Sequence, residues 1–325
     1  MQIWFYFREC QIGDLVYYDG TYSDIYNPNK TAVGVCFYID PKNKNRRLMV
    51  GLKNVTGYSW GLCLDSSNSN GFANITLADS PSYNVFNTPL PDYSGAGYVN
   101  DENILDPNEP DGFKVYAEND PLGDLGFRQL DEELKYGELT YKPSSFLPRG
   151  LYNTLLVLTH RDKICHDSSI NLDLPYASKE ETEMQNLNRL LSEIMVKNSG
   201  NKKYKQFYYP AFSYCYAYQP NVGNNESLSE KFKAHNWFLP TKGDLGRIMW
   251  YWLKDQADNK SKAIFSKWYE LGIFDVLSTT EGYFWASNEN GIYNAWFYQG
   301  VYERVLEYGY NKYYDNRIVR PVCAF

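Results

Sequence analysis

Gly57-Tyr58-Ser59-Trp60-Gly61 fits the G-x-S-x-G pattern in which a serine, raised on a strained turn between a strand and a helix, attacks an acyl carbon. The chemistry needs a helix behind the serine, and the following LCLDSSNSNG is too rich in Ser and Asn to start one. The bases on offer are His160, His166 and His235, none near the C-terminus where that hydrolase architecture places its histidine. The stretch therefore reads as a Gly-flanked bend packing Trp60 inward, with a hydrolase using Ser59 as the alternative. His160-Arg161-Asp162 matches the start of a kinase catalytic loop, but the downstream Asn, a Gly-rich loop and a V-A-I-K strand are all missing. His160, Cys165, His166 and Asp167 carry ligand chemistry at a spacing that fits no established metal site, and a polar strand end is expected there. The six cysteines, Cys10, Cys36, Cys63, Cys165, Cys215 and Cys323, are far apart and read as buried reduced thiols. Neither a metal nor a cofactor is expected, and the chain reads as a binding module in place of an enzyme.

Binding chemistry is concentrated near the C-terminus. Residues 281–316 hold eight Tyr and five Asn, with Trp285 and Trp296 as bulky anchors and Gly291, Gly300 and Gly309 as turn residues. Tyrosine offers a large rigid ring with one polar end, and Asn offers short adaptable hydrogen bonds, which together are the chemistry of antibody paratopes. Consecutive aromatic and polar residues in Asn311-Lys312-Tyr313-Tyr314-Asp315-Asn316 force some rings towards water at strand alternation. The expected contact set is Asn288, Asn290, Tyr293, Asn294, Tyr298, Tyr310, Tyr313, Tyr314 and Asp315.

Around this window the elements read as follows. Leu15–Tyr18, Ala32–Ile39 and Leu48–Leu52 are β-branched and aromatic runs, with Asp19-Gly20 as a turn. Residues 79–147 are punctuated by Pro, Asn, Asp and Gly and read as a loop-rich insertion with short strands near Phe113–Tyr116 and Leu139–Tyr141. Ser178 and Glu181 form a capping box ahead of Met184, Leu187, Leu190, Leu191 and Ile194, which predicts a helix over 179–197. Thr241 is the N-cap of a second helix, with Asp244 at N3 and Leu245, Ile248, Met249, Trp252 and Leu253 on its apolar face. A weaker helix is expected over 259–271, and short strands beyond Gly272. The pattern is α+β.

Several of these segments resemble one family. Trp237-Phe238-Leu239-Pro240-Thr241-Lys242-Gly243-Asp244-Leu245 is similar to the W-x-L-P-[ST]-x-x-[ED]-L signature of the C-type-lectin-like domain of bacterial surface proteins. FWASN (284–288), NAWF (294–297) and IVRPVCAF (318–325) resemble its later strands, GDLVYYDGTYSD (13–24) and AVGVCFYID (32–40) its first hairpin, and LYNT (151–154) its G-x-x-N-T element. The resemblance implies a single domain over 1–325 of C-type-lectin-like fold, with two main helices, paired N- and C-terminal strands and 79–147 inserted. Some members are variable proteins of diversity-generating retroelements, in which adenines of a C-terminal cassette are randomised, and residues 281–317 have the Asn, Tyr and Asp content of such a cassette. The same scaffold is shared by formylglycine-generating oxidases, an enzymatic alternative that needs a copper-binding cysteine pair. The calcium and sugar motifs Glu-Pro-Asn and Trp-Asn-Asp of animal C-type lectins are missing.

A net charge of −7 with scattered basic residues argues against nucleic acid. No apolar run reaches the length of a membrane-spanning helix, and MQIWFYFREC lacks the basic start of a secretory signal. The expected partner is a protein or glycan on another cell or host surface, and the expected location the cell surface, the extracellular space or a virion such as a phage tail, with any export signal or anchor outside this chain.

Overall fold

The computed structural model describes residues 8–56, 60, 125–166, 209–224, 226–257, 265–275, 283–289, 294–301, 304–311 and 317–325. Its N-terminal part follows the alternation read from the sequence. Strands β1 (Leu15–Tyr17), β2 (Tyr22–Ser23), β3 (Ala32–Ile39) and β4 (Arg47–Gly51) are antiparallel neighbours, and the Asp19-Gly20 turn closes with the Gly20 N–H on the Tyr17 carbonyl, Gly20 having φ +85°. With β10 (Trp237–Phe238) and β15 (Val322–Ala324) they form a six-stranded sheet in the order β10-β15-β4-β3-β1-β2.

A second sheet runs in the order β13-β12-β11-β14-β5, built from β5 (Val55–Thr56), β11 (Tyr283–Glu289), β12 (Asn294–Val301), β13 (Arg304–Asn311) and β14 (Ile318–Val319). Two sequence-adjacent strand pairs join the sheets. β4 and β5 belong to different sheets, as do β15 and β14, yet β15 pairs with β4 and β14 with β5. The result is one antiparallel ribbon that passes from the first sheet to the second, bending at Leu52–Asn54 on one strand and Arg320-Pro321 on the other. Pro321 suits the bend, since its ring fixes φ and removes a ladder donor.

Residues 125–148 add two small antiparallel pairs, β6 (Phe127–Gln129) with β9 (Phe146–Pro148) and β7 (Leu134–Tyr136) with β8 (Leu139–Tyr141). Leu130 and Leu147 tie this segment into the main core. Gly126 anchors it, with φ +75°, its N–H on Asp244 Oδ1 and its carbonyl accepting from the Arg149 N–H. A Cβ there would sit 2.6 Å from Tyr38 Cζ. Gly126→Ala is therefore expected to cost about 2–4 kcal/mol, left-handed backbone strain added to overpacking, read as a lowered urea midpoint with an unchanged m-value.

The helices are α1 (Arg149–His166), α2 (Pro210–Ala217), α3 (Lys242–Ala257) and the short α4 (Ser266–Glu270). α3 begins where Thr241 and Asp244 predict it, and the capping box is reciprocal: the Asp244 N–H donates to Thr241 Oγ1 (3.0 Å) and the Thr241 N–H donates to Asp244 Oδ2 (3.2 Å). α1 corrects the polar strand end expected at His160. Leu151, Leu155, Val157 and Leu158 are buried along this helix, and a short apolar run cannot by itself distinguish a buried strand from a helix. α2 was not anticipated either, because its aromatic sequence reads equally as strand. The helix expected over 179–197, and residues Phe113–Tyr116, lie outside the described residues.

The α+β C-type-lectin-like arrangement is likewise corrected. Among the described residues fifteen strands stand against four α-helices, so the architecture is β-dominated. The first and last strands do not pair with each other: β1 lies between β2 and β3, and β15 between β10 and β4. The cause lies in the ribbon, since β4 is the strand whose continuation reaches the second sheet and it occupies the place beside β15.

Candidate functional site

The described part of the Tyr- and Asn-rich window comprises the strands β11, β12 and β13 at one side of the second sheet, with β11 as their root. In β11 Phe284, Trp285, Ala286 and Ser287 are all buried, so both faces of this strand are covered. Burying each of the two large rings is worth about 2–3 kcal/mol. Four polar contacts from three segments of the chain fix the same strand. Trp60 Nε1 donates to the Ala286 carbonyl (2.7 Å), the Ser287 N–H donates to the Pro240 carbonyl (2.7 Å), Asn153 Nδ2 of α1 donates to Ser287 Oγ (3.0 Å), and the Lys242 N–H donates to Asn288 Oδ1 (2.7 Å). Lys242 opens α3, so Asn288 satisfies one of the donors that every helix start leaves over. Trp60 packs inward as the Gly-flanked bend predicts, edge-on to Tyr209 and Phe212, whereas Ser59 lies outside the described residues.

From this root the sheet continues outward. β12 runs antiparallel to β11 with Tyr298 opposite Phe284 and Phe297 opposite Trp285, and a register irregularity falls between Trp285 and Glu289. Phe297 is buried and sits edge-on to Tyr283 (5.3 Å) and Trp285 (6.2 Å), while the Arg317 guanidinium lies 4.1 Å from the Tyr283 ring centroid. β13, the outer strand, pairs with β12 over eight positions, from Asn294 opposite Asn311 to Val301 opposite Arg304. Strand alternation puts positions 295 and 297 with their partners 310 and 308 on one face, and positions 294, 296 and 298 with 311, 309 and 307 on the other.

The nine expected contact positions separate accordingly. Asn288 is half-buried and its side-chain oxygen holds the start of α3. By strand register positions 294 and 298 fall on one face of β12, and position 310 is paired with the buried Ala295 on the other. Asn290, Tyr293, Tyr313, Tyr314 and Asp315 lie outside the described residues. The role of Asn288 in the helix start was absent from the sequence reading. Its signal was available only as a demand, because the Lys242 N–H needs an acceptor and nothing local says which distant residue supplies it.

The polar groups of the core serve structure. Burial pushes the Asp244 carboxyl up to about 7, with the Gly126 and Thr241 N–H groups and the Arg149 charge pulling the other way. Burial lowers the Arg320 guanidinium to about 9, and Asp275 opposes the shift. No group of three or more His, Cys, Asp or Glu side chains among the described residues is placed to hold a metal ion, and no described helix is long and apolar enough to cross a membrane.

No family model and no curated protein matches the chain. Among solved structures it is similar to a fimbrial protein from Bacteroides ovatus, with 12% identity and a TM-score of 0.39, over 97% of this chain and 48% of that one. The chain thus spans about half the length of that protein, and a likeness this low carries no argument about fold or function.

Proposed function

We propose that this chain is a ligand-binding module whose recognition surface is the Tyr- and Asn-rich segment 288–315, carried on the outer strands of the second sheet. The observation that supports it is the contrast within one sheet. β11 is buried on both faces and tied to two helices, while Asn294, Tyr298, Tyr308, Tyr310 and Asn311 belong to the strands outward from it. A rigid root with amphipathic rings beyond it suits recognition, since tyrosines supply contact area at low entropic cost and short amides supply direction. The partner this chemistry fits is a protein or glycan on another cell surface, which places the module outside the cell or on a virion.

The resemblance of FWASN and IVRPV to the borders of a retroelement cassette supports a further element of this reading, that residues 288–316 are diversified between constant strands. A near-identical repeat of codons 284–320 beside a reverse-transcriptase gene is the expected genomic sign, and a locus with neither would leave a binder of fixed specificity.

For the binding function itself, labelled protein is applied to a glycan array and to a panel of intact cells. A variant with Tyr293, Tyr298, Tyr313 and Tyr314 all changed to Ala is expected to lose more than about 100-fold in affinity for whichever surface binds the parent, because aromatic anchors carry most interface energy. Its thermal midpoint should move by less than about 2 °C. Retained binding would remove these rings from the interface, and a large fall in midpoint would assign them to the core.

A further inference from the structure

Three of the described cysteines gather on one face of the six-stranded sheet. Cys10, Cys36 and Cys323 share an apolar cluster with Val16, Met49, Trp237 and Phe325. The strand register spaces them unequally. Cys36 on β3 is opposite Met49 on β4, and Met49 is opposite Cys323 on β15. Cys36 and Cys323 therefore stand two strands apart, about 10 Å between Cα atoms, beyond the reach of a disulfide. Cys10 is placed differently. The turn that follows it is clipped to Cys36 from both sides, the Gly13 N–H donating to the Cys36 carbonyl (2.8 Å) and the Cys36 N–H to the Asp14 carbonyl (2.9 Å). Within that clip both thiols lie in the one buried apolar cluster, where each shifts the titration of the other, and their own hydrogen bonds run to nearby carbonyls, Cys10 Sγ to Gln11 (3.7 Å) and Cys36 Sγ to Tyr38 (3.8 Å).

We propose that Cys10 and Cys36 are a disulfide-forming pair, with Cys10 the entry thiol and Cys36 the resolving thiol, oxidised by thiol–disulfide exchange with a low-molecular-weight or protein disulfide.

The two thiols differ in the way such exchange requires. The neighbouring Cys36 thiol lowers the Cys10 thiol below its ordinary value, and the Arg47 charge acts in the same direction against burial and the Asp14 carboxylate. Burial, followed by the contact with Cys10, pushes the Cys36 thiol well up. Cys10 is 6% exposed but lies between exposed Glu9 and Gln11, so opening of the short segment ahead of β1 uncovers it without parting a strand pair, whereas Cys36 is fully enclosed in the sheet. In the reaction the Cys10 thiolate attacks one sulfur of the incoming disulfide and expels the other as a thiolate. Cys36 then gives up its proton, attacks Cys10 Sγ, forms the Cys10–Cys36 bond and expels the second thiolate. Two electrons and two protons pass to the oxidant, which leaves as two thiols. The bond ties the N-terminal segment to β3 across 26 positions of sequence.

The test uses the full chain, reduced with dithiothreitol, desalted and incubated with oxidised glutathione. Peptide mapping without reduction should find Cys10 joined to Cys36, and the thermal midpoint should rise by about 5 °C and fall back on reduction. Cys36→Ala should stall with glutathione on Cys10. Cys10→Ala should leave Cys36 unmodified, and Cys323→Ala should form the Cys10–Cys36 link as the parent does. Glutathione held on Cys10 of the parent, a link from Cys10 to Cys323, or no modification of Cys10 would each overturn the assignment. Binding through the Tyr and Asn segment is independent of all these outcomes.

Discussion

Replacing Arg320 by Ala is expected to lower the unfolding free energy by about 3–5 kcal/mol, the scale on which a buried, hydrogen-bonded charge network fails when one member is removed. Arg320 sits where the ribbon passes between the two sheets and is 1% exposed. Its Nε donates to the Gly51 carbonyl (2.6 Å), its Nη1 to Asn54 Oδ1 and to the Asp275 carbonyl (3.4 Å), and its guanidinium lies over the Phe274 ring at 4.2 Å. Around it the Gly51 N–H donates to the Pro321 carbonyl, and Asp275 accepts from the Asn54 N–H and from Lys53 Nζ. Alanine would leave the buried Gly51 carbonyl without this donor, an orphaned buried acceptor costing about 1–3 kcal/mol, and would also remove the bond to the half-buried Asn54 amide. Arg320→Lys should recover only part of the loss, since a single ammonium cannot reproduce the planar fork that reaches Gly51, Asn54 and Asp275 together. Urea unfolding followed by tryptophan fluorescence checks both. An Arg320→Ala protein within about 1 kcal/mol of the parent would mean that the strand ladder alone holds the sheets together.

The second large effect is a pH dependence of unusual sign. Asp244 is enclosed in the core, and burial raises its carboxyl from the ordinary carboxylate range to about 7. Between about pH 4 and 7 the folded chain therefore keeps a proton that the unfolded chain has lost. Stability from this group is full below that window, falls as pH rises through it and levels off above it, opposite to an aspartate held in an ion pair. Integrated over the window the loss is on the order of 4 kcal/mol. Urea unfolding at pH 4.5, 6.0 and 7.5 for the parent and for Asp244→Asn isolates it, because the difference between the two proteins cancels groups that titrate in both. The parent should lose its advantage over the variant as pH rises. A parent–variant difference constant across the three pH values would show the carboxylate ionised throughout, held so by the Gly126 and Thr241 N–H groups. Either way the capping box makes this carboxyl a link between β6, through Gly126, and the start of α3.

Some of this molecule is written locally and could be read from the chain. The strands over 15–17, 32–39 and 47–51 follow from β-branched and aromatic alternation, and the start of α3 from Thr241 and Asp244 three residues apart, because such signals depend on neighbours within one turn or one pleat. The Tyr and Asn excess after Tyr283 is likewise a property of the sequence alone. Other features were decided by contacts between distant segments. Arg149–His166 became a helix because Leu151, Leu155 and Leu158 lie on one buried side of it, although the same apolar run reads as strand in isolation. The expected pairing of the terminal strands gave way to a ribbon in which β4 pairs with β15 in the first sheet and their continuations β5 and β14 pair in the second, a choice made by long-range register and by the Arg320 network. Asn288 illustrates the division within the window: its type marks it for recognition, but its oxygen is held by the first N–H of α3. The amino-acid order determined which residues could do chemistry; tertiary packing decided which of them are buried in holding the fold, because satisfying a buried polar group is a nonlocal requirement that no short stretch of sequence encodes.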